Sequence, residues 1–209
     1  MEQVEYLQNL DREVTLAING FHSEFWDSVM LLLSGKLTFI WLYALIAIYI
    51  FGRSQYRMAG VRLKNNITLS AIIILSCLLV FTLTDLIGHE VIKPFFKRLR
   101  PGHDPIIGEL VRTPDGKGGK YGFVSNHAAN FIGFATISAL FIKRYWYTIT
   151  IFFVALAVSY SRIYLARHFL GDIIGGIVFG MLCGGIIYLL AKYIILNLYR
   201  KGKITSYNF

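Results

Sequence analysis

The sequence predicts an all-α, polytopic membrane bundle of five to six transmembrane helices, and three observations carry that prediction. Of 209 residues, 56% are hydrophobic and the mean hydropathy is +0.56, too apolar for an ordinary water-soluble domain. The apolar residues gather into five runs, at about 37–52, 66–88, 127–142, 145–160 and 173–191. Each approaches the ~20 residues a helix needs to cross a ~30 Å hydrocarbon core. All four prolines (Pro94, Pro101, Pro105 and Pro114) and six glycines between 102 and 122 fall between the second and third runs. That stretch is therefore the one long loop outside the bilayer.

Taken in order, the first 34 residues form an amphipathic N-terminal segment. Between about 13 and 34 its apolar stretches are interrupted by His22, Glu24 and Asp27, which favours an interfacial or re-entrant helix over a sixth span. Its acidic start (Glu2, Glu5, Asp11, Glu13) lacks the basic region of a cleaved signal peptide. Trp26, Trp41 and Trp146 fall near the expected water–membrane boundaries, where indole rings are favoured. Cys77 and Cys183 lie inside apolar runs and read as small core residues, not as a disulfide or a metal pair. Gly175, Gly176, Gly180, Gly184 and Gly185 in the last run permit close helix packing, within or between chains. No repeat or second domain interrupts 1–209; the loop is expected at 89–126 and a polar tail at 192–209.

The net charge of +9 raises the question of nucleic acid. The basic residues sit between apolar runs, not along one polar face, and no nucleic-acid motif appears. Anionic lipid headgroups or a phosphate substrate suit this charge better. Lys and Arg divide almost evenly between alternate loops, ten against eleven. Setting aside Lys93, Arg100 and Arg162 as site residues tips the count to ten against eight. The long loop is then expected outside the cytoplasm and the tail inside.

Three clusters of ionisable residues lie at the edges of apolar runs, where placing charge is costly and function is the default reading. The stretch from Lys93 to Arg100 holds four cations in eight residues. If the second span continues as a helix, Lys93, Lys97 and Arg100 share a face. Forked guanidinium groups and a compact ammonium suit phosphate oxygens, although such a cluster also anchors helix ends on anionic lipid. Ser125-Asn126-His127 opens the third span. Ser125 suits the N-cap, the free amides there suit a phosphate oxygen, and His127 is placed to protonate a leaving alkoxide. An interfacial histidine satisfied by headgroups would look the same. Arg162, His168 and Asp172 form the third cluster, with His168 and Asp172 four apart. On a helix that spacing allows a carboxylate–imidazole hydrogen bond, which fixes the tautomer and frees the other nitrogen for attack. The plainer alternative makes Asp172 a first-turn carboxylate favoured by the helix dipole. Asp85, His89 and Glu90 have no motif behind them and read as structural or solvent-facing.

These residues resemble the type 2 phosphatidic acid phosphatases, whose motifs are K-x6-R-P, P-S-G-H and S-R-x5-H-x3-D. The first is complete from Lys93 to Arg100-Pro101, and the third from Ser161-Arg162 through His168 to Asp172. The second departs: Val124-Ser125-Asn126-His127 has valine for proline and asparagine for glycine. The resemblance implies a lipid phosphatase of the bacterial cytoplasmic (inner) membrane working through a phosphohistidine. His168 would be the nucleophile, Asp172 its orienter and His127 the acid. Lys93, Arg100, Ser125, Asn126 and Arg162 would hold the phosphate. It implies no metal and no cofactor, agreeing with the lack of metal-ligand spacing. The expected partners are the bilayer and a lipid phosphate, with no nucleic acid. Candidate substrates are undecaprenyl diphosphate, lipid A phosphate, phosphatidate and phosphatidylglycerophosphate, and transfer to a second lipid is an alternative to hydrolysis.

Overall fold

The long apolar runs are helical, and the computed structural model describes residues 2–35 and 37–207. Helices α1 (Glu2–Gly20) and α2 (Glu24–Ser34) precede α3 (Ile40–Gly52). A hairpin of β1 (Gln55–Met58) and β2 (Val61–Lys64) leads to α4 (Ile67–Ile87), which runs through a π-helical turn at Gly88–Ile92 into α5 (Lys93–Phe96). After the loop come α6 (Asn126–Ile142), α7 (Tyr145–Tyr164) and α8 (Leu170–Arg200). Three of these are long and apolar enough to cross a membrane: the α4–α5 unit (Ile67–Phe96), α7 and α8. Helices α3 and α6 are apolar but shorter.

The centre is α6, wrapped by α4, α7 and α8. Its close approach to α8 depends on small residues. A Cβ on Gly176 would lie 2.7 Å from Ser125 O, and one on Gly184 the same distance from Gly133 O. The glycine stripe therefore serves packing within the chain. The main core runs from Ile73, Cys77 and Val80 through Ile132, Ile137 and Phe141 to Tyr188 and Ile195. On the outward faces, Leu75, Leu78, Phe153, Leu156, Leu182 and Leu189 stay exposed, as lipid-facing residues do.

The predicted run boundaries match the helices to within a few residues, except at the ends. The N-terminal segment is two helices, broken at Phe21–Ser23, with Ser23 capping α2 by accepting from the Trp26 amide. The polar tail expected from residue 192 is helical as far as Arg200, because Tyr188, Ala191 and Ile195 keep an apolar face buried. The hairpin, where only a connection was expected, buries Tyr56, Met58 and Leu63 on one face. Leu63 also bridges to Ser206, and Arg53 donates to the Ile142 carbonyl at 2.6 Å. The hairpin, the α6–α7 turn and the C-terminus thus close one end of the bundle. The motif-bearing ends of α5, α6, α7 and α8 meet at the other.

Candidate active site

Lys93 is buried because the π turn precedes it. That turn inserts an extra residue per hydrogen-bonded ring, leaving His89 and Glu90 exposed and turning Lys93, 7% exposed, inward. The helix then stops: Lys97 takes a left-handed conformation (φ 49°) and points to solvent. The shared face of Lys93, Lys97 and Arg100 is therefore not realised. Arg100 returns after the helix end, with its Nε donating to the Tyr121 carbonyl at 3.1 Å.

Ser125 is the N-cap of α6, its hydroxyl accepting from the Ala128 amide and its own amide donating to the Asp172 carbonyl at 3.0 Å. This joins the second motif to the third. The Phe123–Val124 peptide before it is cis. Asn126, in the glycine position of the family motif, accepts from the Lys93 ammonium through Oδ1. Its Nδ2 donates to Asp85 Oδ1 at 2.8 Å. Asp85, expected as a structural or solvent-facing residue, is thus joined through Asn126 to Lys93.

His168 is not on a helix with Asp172. It lies in the turn between α7 and α8, whereas Asp172 is in the first turn of α8. Both are fully enclosed, at 2% and 0% exposure. His168 Nδ1 lies 3.5 Å from Asp172 Oδ2, beyond ordinary hydrogen-bond reach, and has no other partner. Asp172 instead accepts from the Phe169 amide (3.1 Å) and from Arg98 (2.9 Å). Asp172 is thus the first-turn carboxylate of the plainer reading, bonded to the Phe169 amide at the start of α8, and the expected hydrogen bond to His168 is not formed. Burial first, then the charges of Arg100, Arg162, Lys93 and Arg167, hold the His168 imidazole well below its ordinary range. Burial and the neighbouring cations thus favour the neutral imidazole.

The sequence reading missed four residues here. Arg98 links Asp172 to Asp11 of α1, while Asp11 accepts from the Gly171 amide at 3.0 Å and Arg98 lies over the Phe169 ring. Arg167 donates to the carbonyls of Asp115 and Gly116, at 3.0 and 2.8 Å. The Asp115 carboxylate lies 3.4 Å from Arg167 and 4.0 Å from Arg162. With His127 they line a cavity of about 210 Å³. Arg98 and Arg167 stand inside the first and third motifs, so the basic spacing was a signal for them. Asp11 and Asp115 had none.

The N-terminal helices hold the loop over this site. Arg12 pairs with Asp104 at 3.2 Å, and Asn19 binds both the Arg112 backbone and the Tyr164 carbonyl. Asp27 accepts from Arg112 (2.7 Å) and from the Tyr164 hydroxyl (2.8 Å). Among the described residues, no three His, Cys, Asp or Glu side chains gather as a metal cage.

Buried cations around a neutral imidazole, with a second histidine beside them at the end of a helical bundle, have the chemistry that phosphoryl transfer requires. Residues 70–196 match the PAP2 superfamily, and the chain belongs to that superfamily. The expectation of a membrane lipid phosphatase stands with it. The chain is 32% identical to a lipid A 4'-phosphatase of Porphyromonas gingivalis, covering 91% of this chain and 76% of that one. It is 30% identical to a lipid A 4'-phosphatase of Bacteroides thetaiotaomicron, covering 90% and 80%. Its fold is similar to a crystal structure of a transmembrane PAP2-type phosphatidylglycerolphosphate phosphatase from Bacillus subtilis. There the TM-score is 0.61 at 21% identity, with 93% and 89% of the chains covered. Aquifex aeolicus LpxE gives a TM-score of 0.58 at 23% identity, covering 84% and 92%.

Proposed function

We propose that the protein hydrolyses a phosphomonoester on the saccharide headgroup of a lipid A-like glycolipid through a phosphohistidine. The observation that carries the mechanism is the placement of buried His168 among Lys93, Arg100, Arg162 and Arg167. Similarity to two lipid A 4'-phosphatases supports the substrate class.

The phosphoryl oxygens lie among Lys93, Arg100 and Arg162, with the Ser125–Asn126 helix start adding amide donors. The free nitrogen of His168 attacks phosphorus as the P–O bond to the lipid breaks. His127 gives its proton to the leaving oxygen, then takes one from the water that attacks phosphohistidine, releasing phosphate and restoring His168. The Asp172 carboxylate stabilises the positive charge that develops on the His168 imidazole.

Five spans are formed by α3, the α4–α5 unit, α6, α7 and α8, with α1 and α2 at the interface. The site faces away from the cytoplasm, across a bacterial inner membrane. With Lys93, Arg100 and Arg162 set aside as site residues, ten Lys and Arg at the hairpin end against eight at the other favour the hairpin end as cytoplasmic.

Phosphate release by purified protein in detergent with excess EDTA tests the reading, using a panel of lipid mono- and diphosphates. Release that survives EDTA and is lost in His168→Ala is expected, with the glycolipid monophosphate as the best substrate. No release from any lipid by folded protein would overturn it.

A further inference from the structure

The reaction above gives no role to Asp85, yet the chain builds a connection to it. Asn126 takes the Lys93 ammonium on one side and holds Asp85 on the other, through its side chain at 2.8 Å and its backbone carbonyl at 3.1 Å. A Cβ on Gly88 would stand 2.8 Å from Asn126 Oδ1, so a glycine leaves the space this amide occupies. Asp85 is exposed on α4 and opens, with His127, Asn130 and Tyr43, onto a cavity of about 290 Å³. The buried Tyr43 hydroxyl has no hydrogen-bond partner. Asn130 has its carbonyl oxygen occupied by the Thr84 hydroxyl at 2.6 Å, which leaves its amide nitrogen free to donate.

His127 borders both this cavity and the one lined by Arg162 and Arg167. The two arginines suit the phosphoryl group, so in the proposed reaction the departing part of the substrate falls to the Asp85 side. Its chemistry differs from that of the phosphate clamp. There the side chains are cations, whereas here a carboxylate accepts hydrogen bonds and repels anions. We infer that Asp85, fixed by Asn126, is a specificity-determining residue that selects the leaving group. It favours a neutral group bearing hydroxyl or amide donors, as a sugar does, and disfavours a group that itself departs as a phosphate. The inference rests on the phosphatase reading and assigns its preference for a monoester over a diphosphate to one residue.

The test compares full-length wild type, Asp85→Asn and Asp85→Glu in detergent on two probes, an acylated glucosamine 4-phosphate lipid and farnesyl diphosphate. Asp85→Asn removes the charge and weakens the acceptor. It is expected to raise kcat/KM for the diphosphate about tenfold and to lower it for the monoester. Asp85→Glu is expected to stay on the wild-type side of that change. Opposite movement on two substrates cannot come from partial unfolding. Equal change on both probes, or no change on either, would overturn the inference and leave the phosphatase reading intact. Folded wild-type protein inert on both would overturn the reading and the inference together.

Discussion

The two ends of the bundle carry similar numbers of cations and use them in opposite ways. At the hairpin end, Arg57, Arg62, Lys64, Lys143 and Arg144 are exposed. At the motif end, Lys93 and Arg162 are 7% and 3% exposed, and Arg12, Arg98 and Arg112 are paired with carboxylates. All twelve Asp and Glu of the sequence belong to the motif end, and none to the hairpin end. Exposed cations cost little and suit an anionic surface. Buried ones require partners or a ligand. The comparison teaches that charge burial and pairing, not charge count, distinguish the end that holds the candidate site.

The sharpest way to break that comparison is to remove the proposed nucleophile. His168→Ala is expected to cut kcat by about 10⁴-fold or more while the thermal unfolding midpoint shows a folded protein. Next in size is Arg98→Ala, which removes the guanidinium holding Asp172 and is expected to lower kcat by about 10–100-fold, with KM little changed. Partial recovery in Arg98→Lys would separate positioning from simple loss of fold. Asp11→Asn, one step further from the imidazole, should cost only a few-fold in the same assay.

A pH experiment sharpens the account of the loop. Burial pushes the Asp104 carboxyl up, but Arg12 and the amides of Ile106 and Ile107 more than offset this, leaving it below the ordinary 3.8. Its stabilisation is therefore full above that value and lost as pH falls through the lower folded value. Relative to Asp104→Asn, wild type should be more stable by about 2 kcal/mol at pH 6, and the gap should close below pH 3.8. Thermal unfolding in detergent at several pH values measures it. At the hairpin end, Arg62→Ala is expected to change turnover less than about twofold and stability by no more than about 0.5 kcal/mol.

The helices and the motif set were legible in the sequence because apolar periodicity and short-range spacing record them directly. Lys93, Arg100, Arg162, His127 and His168 reach one end of the bundle because each stands at the end of an apolar run. The pairings that complete the site were not legible. Asp11 meets Arg98 across 87 positions, and Asp85 meets Asn126 across 41. Such contacts depend on how the N-terminal helix and the loop dock, which no local pattern specifies. Local spacing also misled at two places. The π turn and the left-handed Lys97 broke the expected helical face, and the His168–Asp172 spacing spans a turn, not one continuous helix.

The central claim is that His168 carries the phosphoryl group. Rapid quenching of turnover with alkali, followed by mass spectrometry of the digested protein, tests it most directly. A base-stable, acid-labile phosphoryl adduct on the peptide containing His168, appearing only while substrate is being consumed, is the predicted result. Undiminished turnover by folded His168→Ala, or a turnover-dependent adduct on another residue, would contradict it.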